Sequence, residues 1–251
     1  MQLIPVKTPL LHEGNDIATI LTQCEHIESG DILVISSKAI ATVEGASINL
    51  STITPTQEAY LWVKRCGGPH AFRQAILNEV QRMHGVILPC CPQAMLTELK
   101  PDGLEYGTIL AVNAGLDLSN IAEGYAIGWP RDPVASVRKL KEELKKEIAV
   151  IVSDSCCRPR RIGVAAIALT VAGIDPIKNE IGVPDLFGHP LTMTQEALAD
   201  QLATAANIVM GNAGESIPAV IIRDHKMPLT SFSGWVPGIA RDKDLFCGLL
   251  H

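Results

Sequence analysis

No stretch of this chain is apolar for long enough to cross a bilayer. The longest candidates, Ile148 to Val152 and Ile162 to Ile174, are too short or are interrupted by Gly and Thr, whereas a spanning helix needs about 20 predominantly apolar residues. Met1 to Thr8 lacks the apolar segment of a secretory signal. These absences predict a cytoplasmic protein with no membrane partner. An excess of basic charge is also missing. The formal net charge is −6, and binding a phosphate backbone needs a broad basic surface, so no nucleic-acid partner is expected. The seven cysteines include adjacent pairs at Cys90–Cys91 and Cys156–Cys157. Their odd number fits no closed disulfide framework, and no CxxC or His-x3-His spacing offers a zinc site, so free thiols are expected. There is no internal repeat, no low-complexity segment, no Walker A sequence and no GxGxxG after a first strand.

What is present suits a large buried core. Of 251 residues, 47% are hydrophobic and only 19% charged, enough for one large domain or two smaller ones. Asn15 is placed to cap a helix carrying Ile17, Ile20, Leu21 and Cys24, and Gly30-Asp31 then turns into a strand at Ile32 to Ile35. Phe72, Ile76, Val80 and Met83 predict a second amphipathic helix, stopped near Gly85. Residues 103 to 124 read as short strands and loops. Asp132-Pro133 starts a third helix in the N-cap and N1 manner. Val137, Leu140, Leu144 and Ile148 form its buried stripe, and Glu142 and Lys146 an exposed i,i+4 pair. That helix feeds a strand predicted to end at Asp154. Leu198, Leu202, Ala205 and Val209 mark a fourth helix, with Gly211 past its end, and Ala219 to Ile222 a further strand. Helices and strands alternate without the regular period of a doubly wound sheet, so the expected class is α+β.

The chemistry concentrates in three loops. In NAGLDLSN, Asn113 to Asn120, small residues surround Asp117, which either reaches a metal or phosphate-bound water or closes a surface Asx turn. In VIVSDSCCRPRR, residues 150 to 161, a strand delivers Asp154 and Ser155 into a cationic turn. Ligands gather at such strand ends, although capping of the turn is the plainer alternative. Two aspartates and a Ser hydroxyl are hard oxygen donors that suit Mg²⁺ or Mn²⁺ rather than zinc. The neighbouring arginines can neutralise phosphate oxygens. They can also lower the pKa of Cys156 and Cys157, which ranks below simple packing. MGNAGES, Met210 to Ser216, offers backbone N–H groups to phosphate or simply ends a helix. Spacing alone yields a candidate metal and phosphate site, with no reaction attached.

Six blocks carry a wider pattern: GDILVISSKAIATVEG (30 to 45), NAGLDLSN (113 to 120), VSDSCCRPRRIG (152 to 163), VAGIDPI (171 to 177), DLFGHPL (185 to 191) and ADQLATAANIVMGNAGESIPAVIIR (199 to 223). In this order they resemble the coenzyme F-420-0:L-glutamate ligase family, and the likeness continues to DLF at Asp244 to Phe246. The resemblance implies one γ-glutamyl ligase domain over residues 1 to 251, with two structural subdomains in an α+β subunit, and an intertwined homodimer with its active site near the interface. It implies that GTP or ATP, Mg²⁺ or Mn²⁺, and K⁺ serve to join the amino group of L-glutamate to a carboxylate of a deazaflavin acceptor through an acyl phosphate.

Position by position, the resemblance makes Asp117, Asp154 and Ser155 metal contacts and puts Asn212 where a second-metal acid or glutamine is often found. It makes Asp154, Arg158 and Arg161 the catalytic set, with the arginines as countercharge for phosphate and substrate carboxylates. The nucleotide contacts it implies are Pro9, Leu10, Leu11 and His12, then Ser36, Ser37 and Lys38, then Asn120. The last segment comprises Met210, Gly211, Asn212, Ala213, Gly214, Glu215, Ser216 and Ile217. Three departures stand out. Cys157-Arg158-Pro159-Arg160-Arg161 replaces Gly-Arg-Pro-Trp-Arg, Val164-Ala165-Ala166 replaces a polar Gln-Thr-Asp run, and Thr42 takes a lysine position, with Lys38 nearby. They keep two other readings open: a folate acceptor for the same ligation, and a catalytically silent nucleotide-binding homologue.

Overall fold

The structure is a computed structural model and describes residues 1–89, 91 and 93–249. In chain order it opens with β1 (Gln2–Val6), α1 (Ile17–Cys24), β2 (Ile32–Ser36), α2 (Ser37–Val43) and β3 (Ile48–Asn49). Next come α3 (Gln57–Cys66), α4 (His70–Arg82), β4 (Val86–Leu88), β5 (Leu96–Leu99), β6 (Ile109–Val112) and β7 (Tyr125–Ala126). The last part holds α5 (Pro133–Leu144), β8 (Ala149–Cys157), β9 (Val164–Ala172), β10 (Lys178–Asn179) and β11 (Gln195–Glu196), followed by α6 (Leu198–Met210), β12 (Ala219–Arg223) and β13 (Ser233–Trp235).

The main sheet has the order β1-β12-β2-β8-β9-β13, and only β2 and β8 run parallel. Its middle strands are continuous apolar runs because both faces are covered. Alternate residues point to opposite faces. Leu33, Ile35, Val150, Val152 and Ile221 pack with α1, α2 and α5, while Ile32, Val34, Ala149, Ile151, Val220 and Ile222 pack with α6. A third core joins α4 to the β4-β5-β6 sheet and includes Trp129 and Trp235. The mixed arrangement is the expected α+β class. Among the described residues, no helix is long and apolar enough to cross a membrane. Cys24, Cys66, Cys91, Cys156, Cys157 and Cys247 are free thiols, and Cys90 lies outside the described residues.

Several boundaries differ from the sequence pattern. The cap of α1 is Asp16, whose carboxylate accepts from the Thr19 N–H at 3.0 Å and its hydroxyl at 2.7 Å. Asn15 instead accepts from the His12 N–H. The predicted cap of α5 is present, with Asp132 accepting from the Ala135 N–H at 2.9 Å and Pro133 in the first turn. Lys145 then turns left-handed at φ 51 and stops the helix at Leu144. Lys146 and Ile148 are therefore off the helix, although Ile148 is buried just before β8, and an i,i+4 ion pair of α5 is Lys139–Glu143 at 3.8 Å. The buried stripe of α6 is Ala199, Leu202, Ala203, Ala206 and Met210, so Leu198, Ala205 and Val209 sit at its margin. Finally, β8 does not stop at Asp154 but continues to Cys157 as a hairpin with β9.

Candidate active site

Because β2 and β8 are parallel neighbours, with Ser36 level with Ser153, their C-terminal ends open on the same edge of the sheet. One strand leads into Lys38 at the start of α2, and the other into Asp154 and Ser155. A register shift between Val152 and Ser153 against β9 interrupts the pairing just before Asp154, the kind of irregularity that re-aims side chains at a strand end.

Two loops and the segment after β1, Thr8 to Leu11, close over this edge. Asn113, Ala114 and Gly115 all have positive φ (54, 53 and 76) and turn the chain out of β6 towards Asp117. Asp117 exchanges two backbone hydrogen bonds with Ile127, at 2.8 and 3.0 Å. After α6 the chain reverses at Gly211, φ 72, where a Cβ would stand 2.3 Å from the Glu215 carboxyl carbon. That backbone conformation favours glycine, and without a Cβ the Glu215 carboxylate can fold back against it. The resulting loop is tied to its neighbours by Thr8 N–H to Ser216 O at 3.0 Å and Ser36 N–H to Pro218 O at 2.9 Å. Asn120 Nδ2–H adds a bond to Ala213 O at 3.0 Å. Together these segments enclose a cleft of ≈ 340 Å³.

The two aspartates have opposite electrostatics. Burial works against the charge of Asp117. Hydrogen bonds from Lys38 Nζ, the Ser119 hydroxyl and the Ser119 N–H, with the Lys38 charge, outweigh it and lower its pKa to about 2. At Asp154 burial dominates and raises the pKa. The Trp129 indole N–H at 2.6 Å, the Lys38 charge and the Ser155 N–H at 2.9 Å oppose it only in part, and the charge of Asp117 adds to the rise. One ammonium thus serves both carboxylates.

The cleft gathers most of the predicted site. Pro9, Leu10, Leu11, Ser36, Lys38, Asp117, Asn120, Asp154, Ser155 and the whole run Met210 to Ile217, including Asn212, line it. His12 and Ser37 do not. The His12 backbone is engaged by Asn15, and Ser37 is fully buried with no hydrogen-bond partner for its hydroxyl oxygen. Nor are Arg158 and Arg161 in the cleft. At about 3.3 Å of rise per residue, the extension of β8 to Cys157 carries the arginine turn roughly 10 Å beyond Asp154. Arg158 lines a second cavity of ≈ 390 Å³ with Cys156 and Cys157, and Arg161 is exposed on the turn. Burial raises the Cys156 thiol pKa despite the nearby Arg158 charge, so packing, not activation, describes that residue.

Thr8, Ala39, Thr42, Ser119, Val164, Asn207 and Pro218 also line the cleft. Ser119 was recoverable from the Asx-turn pattern two residues past Asp117. Trp129 was not recoverable from local spacing, because its tie to Asp154 spans 25 residues. Among the described residues no group of three or more His, Cys, Asp or Glu side chains is arranged to hold a metal. The donors are two carboxylates, the Ser155 hydroxyl and the Asn212 amide. That set fits Mg²⁺, which commonly binds one or two carboxylates and completes its shell with waters and substrate phosphates.

The family model described as F420-0:Gamma-glutamyl ligase matches residues 5–224. This chain belongs to that family. All the cleft residues of this F420-0:Gamma-glutamyl ligase family member fall within the matched span. The chain is 37% identical over 246 residues to the Coenzyme F420:L-glutamate ligase of Methanothermobacter thermautotrophicus, covering 94% of each chain. It is 35% identical over 252 residues to that of Methanocaldococcus jannaschii, covering 98% of this chain and 96% of the relative. The protein of the same name from Archaeoglobus fulgidus is 35% identical over 228 residues, or 89% and 87% of the two chains.

Proposed function

We propose that this protein is an amide-bond-forming γ-glutamyl ligase that adds L-glutamate to a carboxylate of a deazaflavin coenzyme F420 precursor, with GTP or ATP and Mg²⁺ or Mn²⁺. The observation that carries the reading is the meeting of Asp117, Asp154 and Ser155 with the Met210–Ile217 loop in one cleft. The same loop follows α6, and its backbone N–H groups suit a triphosphate. Lys38 supplies a positive charge. Asp117, Asp154 and Ser155 would hold the cation, with Asn212 contributing an oxygen but no charge. A cation bound there neutralises phosphate oxygens.

The reaction transfers the γ-phosphoryl group to the acceptor carboxylate and releases the nucleoside diphosphate. The glutamate amine then attacks the acyl carbon, loses a proton and expels phosphate as the amide forms. No protein nucleophile is needed; the cleft contributes positioning and electrostatic stabilisation.

The names of the relatives favour the deazaflavin over the folate acceptor. The joint presence of both aspartates and Ser155 in the cleft disfavours a silent homologue. A homodimer belongs to the same reading. Leu186, Phe187 and Met193 are 99%, 86% and 82% exposed on the segment between β10 and β11, and large exposed apolar side chains close together in the chain suit an association surface. The test is phosphate release with L-glutamate, either nucleotide, Mg²⁺ or Mn²⁺, with and without K⁺, and either acceptor, together with the mass of the product. A glutamyl-extended deazaflavin supports the proposal. Extension of folate alone moves the acceptor assignment, and no turnover with any combination overturns ligation.

A further inference from the structure

Among the described residues the carboxylate of Asp154 has two donors, and they differ in kind. Oδ1 accepts from the backbone N–H of the next residue, Ser155, at 2.9 Å. Oδ2 accepts from the indole Nε1–H of Trp129 at 2.6 Å. Trp129 is 6% exposed and packs in the third core with Trp235, ring centroids 6.2 Å apart at 57°. The indole lies against Gly115, where a Cβ would come within 2.7 Å of Nε1, so this ring requires a glycine there. It is also anchored from its own side. Ile127, two residues earlier, makes the paired backbone hydrogen bonds to Asp117. The stretch Ile127 to Trp129 therefore holds one aspartate by its backbone and the other by a side chain.

From this geometry we infer that Trp129 is a positioning residue for the cleft, fixing the orientation of the Asp154 carboxylate through its indole N–H. Trp129 does not line the cleft, so it acts only through Asp154. The inference rests on the reading of Asp154 as a metal-binding group. The physical reason is orientational. A charge-assisted hydrogen bond from a ring locked by packing removes the freedom of the carboxylate to rotate. Without the N–H, Oδ2 keeps no donor among the described residues, and a half-buried acceptor left unpaired favours another orientation. Supporting donors of this kind typically contribute about 10- to 100-fold to metal affinity.

The experiment uses the full-length protein and two readouts. Mn²⁺ binding is followed by the electron paramagnetic resonance of the free ion in wild type, Trp129→Phe, Trp235→Phe and Asp154→Asn. The indole N–H resonances are followed by proton–nitrogen correlation in wild type and Asp154→Ala, with Trp→Phe variants assigning the three tryptophans. Trp129→Phe is expected to bind Mn²⁺ about 10- to 100-fold more weakly. Trp235→Phe, whose indole N–H goes to Asp102 O at 2.9 Å, is expected to match wild type and controls for loss of ring packing. The Trp129 indole resonance is expected to lie downfield in wild type and to move in Asp154→Ala. That readout stands even where Trp129→Phe folds poorly. Unchanged Mn²⁺ affinity in a folded Trp129→Phe protein, or an indole resonance indifferent to Asp154→Ala, overturns the inference. Absence of Mn²⁺ binding by wild type, with the resonance still responding, overturns the metal reading and leaves the positioning of Asp154 by Trp129 standing.

Discussion

Asn120 and Ala213 stand 93 residues apart in the chain and are joined by one hydrogen bond, from the Asn120 side-chain amide to the Ala213 carbonyl at 3.0 Å. The bond ties the loop that carries Asp117 to the loop that follows α6, so two walls of the cleft are held in a fixed relation. A hydrogen bond of this kind contributes about 0.5–1.5 kcal/mol. Asn120→Ala is therefore expected to weaken binding of GTP in the presence of Mg²⁺ about two- to tenfold. Calorimetric titration showing wild-type affinity would mean that the loops hold their places without this tie.

Asp154→Asn separates charge from shape. The Asn side-chain oxygen can still accept the Trp129 N–H, and Asn caps turns about as well as Asp. The fold is therefore expected to survive. Because burial disfavours the charged carboxyl here, the melting temperature at neutral pH is expected to hold or rise. Phosphate release with L-glutamate and acceptor is expected to fall about a hundredfold or more. A stably folded Asp154→Asn protein with near-normal turnover would refute the metal role.

Away from the cleft, Asp31 is 2% exposed and accepts two hydrogen bonds from Arg223, at 2.8 and 2.7 Å. Burial alone would raise its pKa, but Arg223 and the Glu28 N–H reverse that and leave it lowered. A carboxyl whose pKa falls on folding adds stability above its unfolded value, about 3.9, and loses it as pH falls towards the folded value. Arg223→Gln strands the buried carboxylate and is expected to cost about 3 kcal/mol at pH 7. The stability gap between wild type and variant should narrow in melts taken below about pH 4. A gap of constant size from pH 7 to pH 3 would show that Asp31 does not carry the effect.

For the proposed homodimer, Phe187→Asp is the sharpest probe, since Phe187 is 86% exposed in the single chain and a charge there opposes burial against a partner. Light scattering at micromolar concentration is expected to give a dimer for wild type and a shift towards monomer for the variant. A wild-type monomer would remove the dimer from the proposed function.

The features legible in the sequence were those written in neighbouring residues. Asp132-Pro133 announced the start of α5 because a cap and its first turn are adjacent in the chain. The apolar runs of β2 and β8 announced strands, and the structure puts both in the middle of the main sheet, where two faces need covering. Asp117, Asp154 and the Met210–Ile217 loop stood out through local turn chemistry and ordered blocks. Even so, one-residue details such as the Asp16 cap, and the length of β8 past Asp154, escaped the pattern, and with that length the placing of Arg158 and Arg161 outside the cleft.

What tertiary structure alone decided is how the site is held. Lys38 reaches Asp117 across 79 residues, Asn120 reaches Ala213 across 93, and Trp129 reaches Asp154 across 25. The sequence by itself determined the segments with strong local patterns, α1, α4, α5 and α6 with the strands β2, β8 and β12, because backbone geometry and side-chain periodicity are local; α2, α3, β1 and β9 carried no pattern that announced them. The sequence did not show which side chains meet. Those pairings depend on the parallel alignment of β2 with β8 and on loops folding back over a common sheet edge, and only packing of the whole chain brings those parts together.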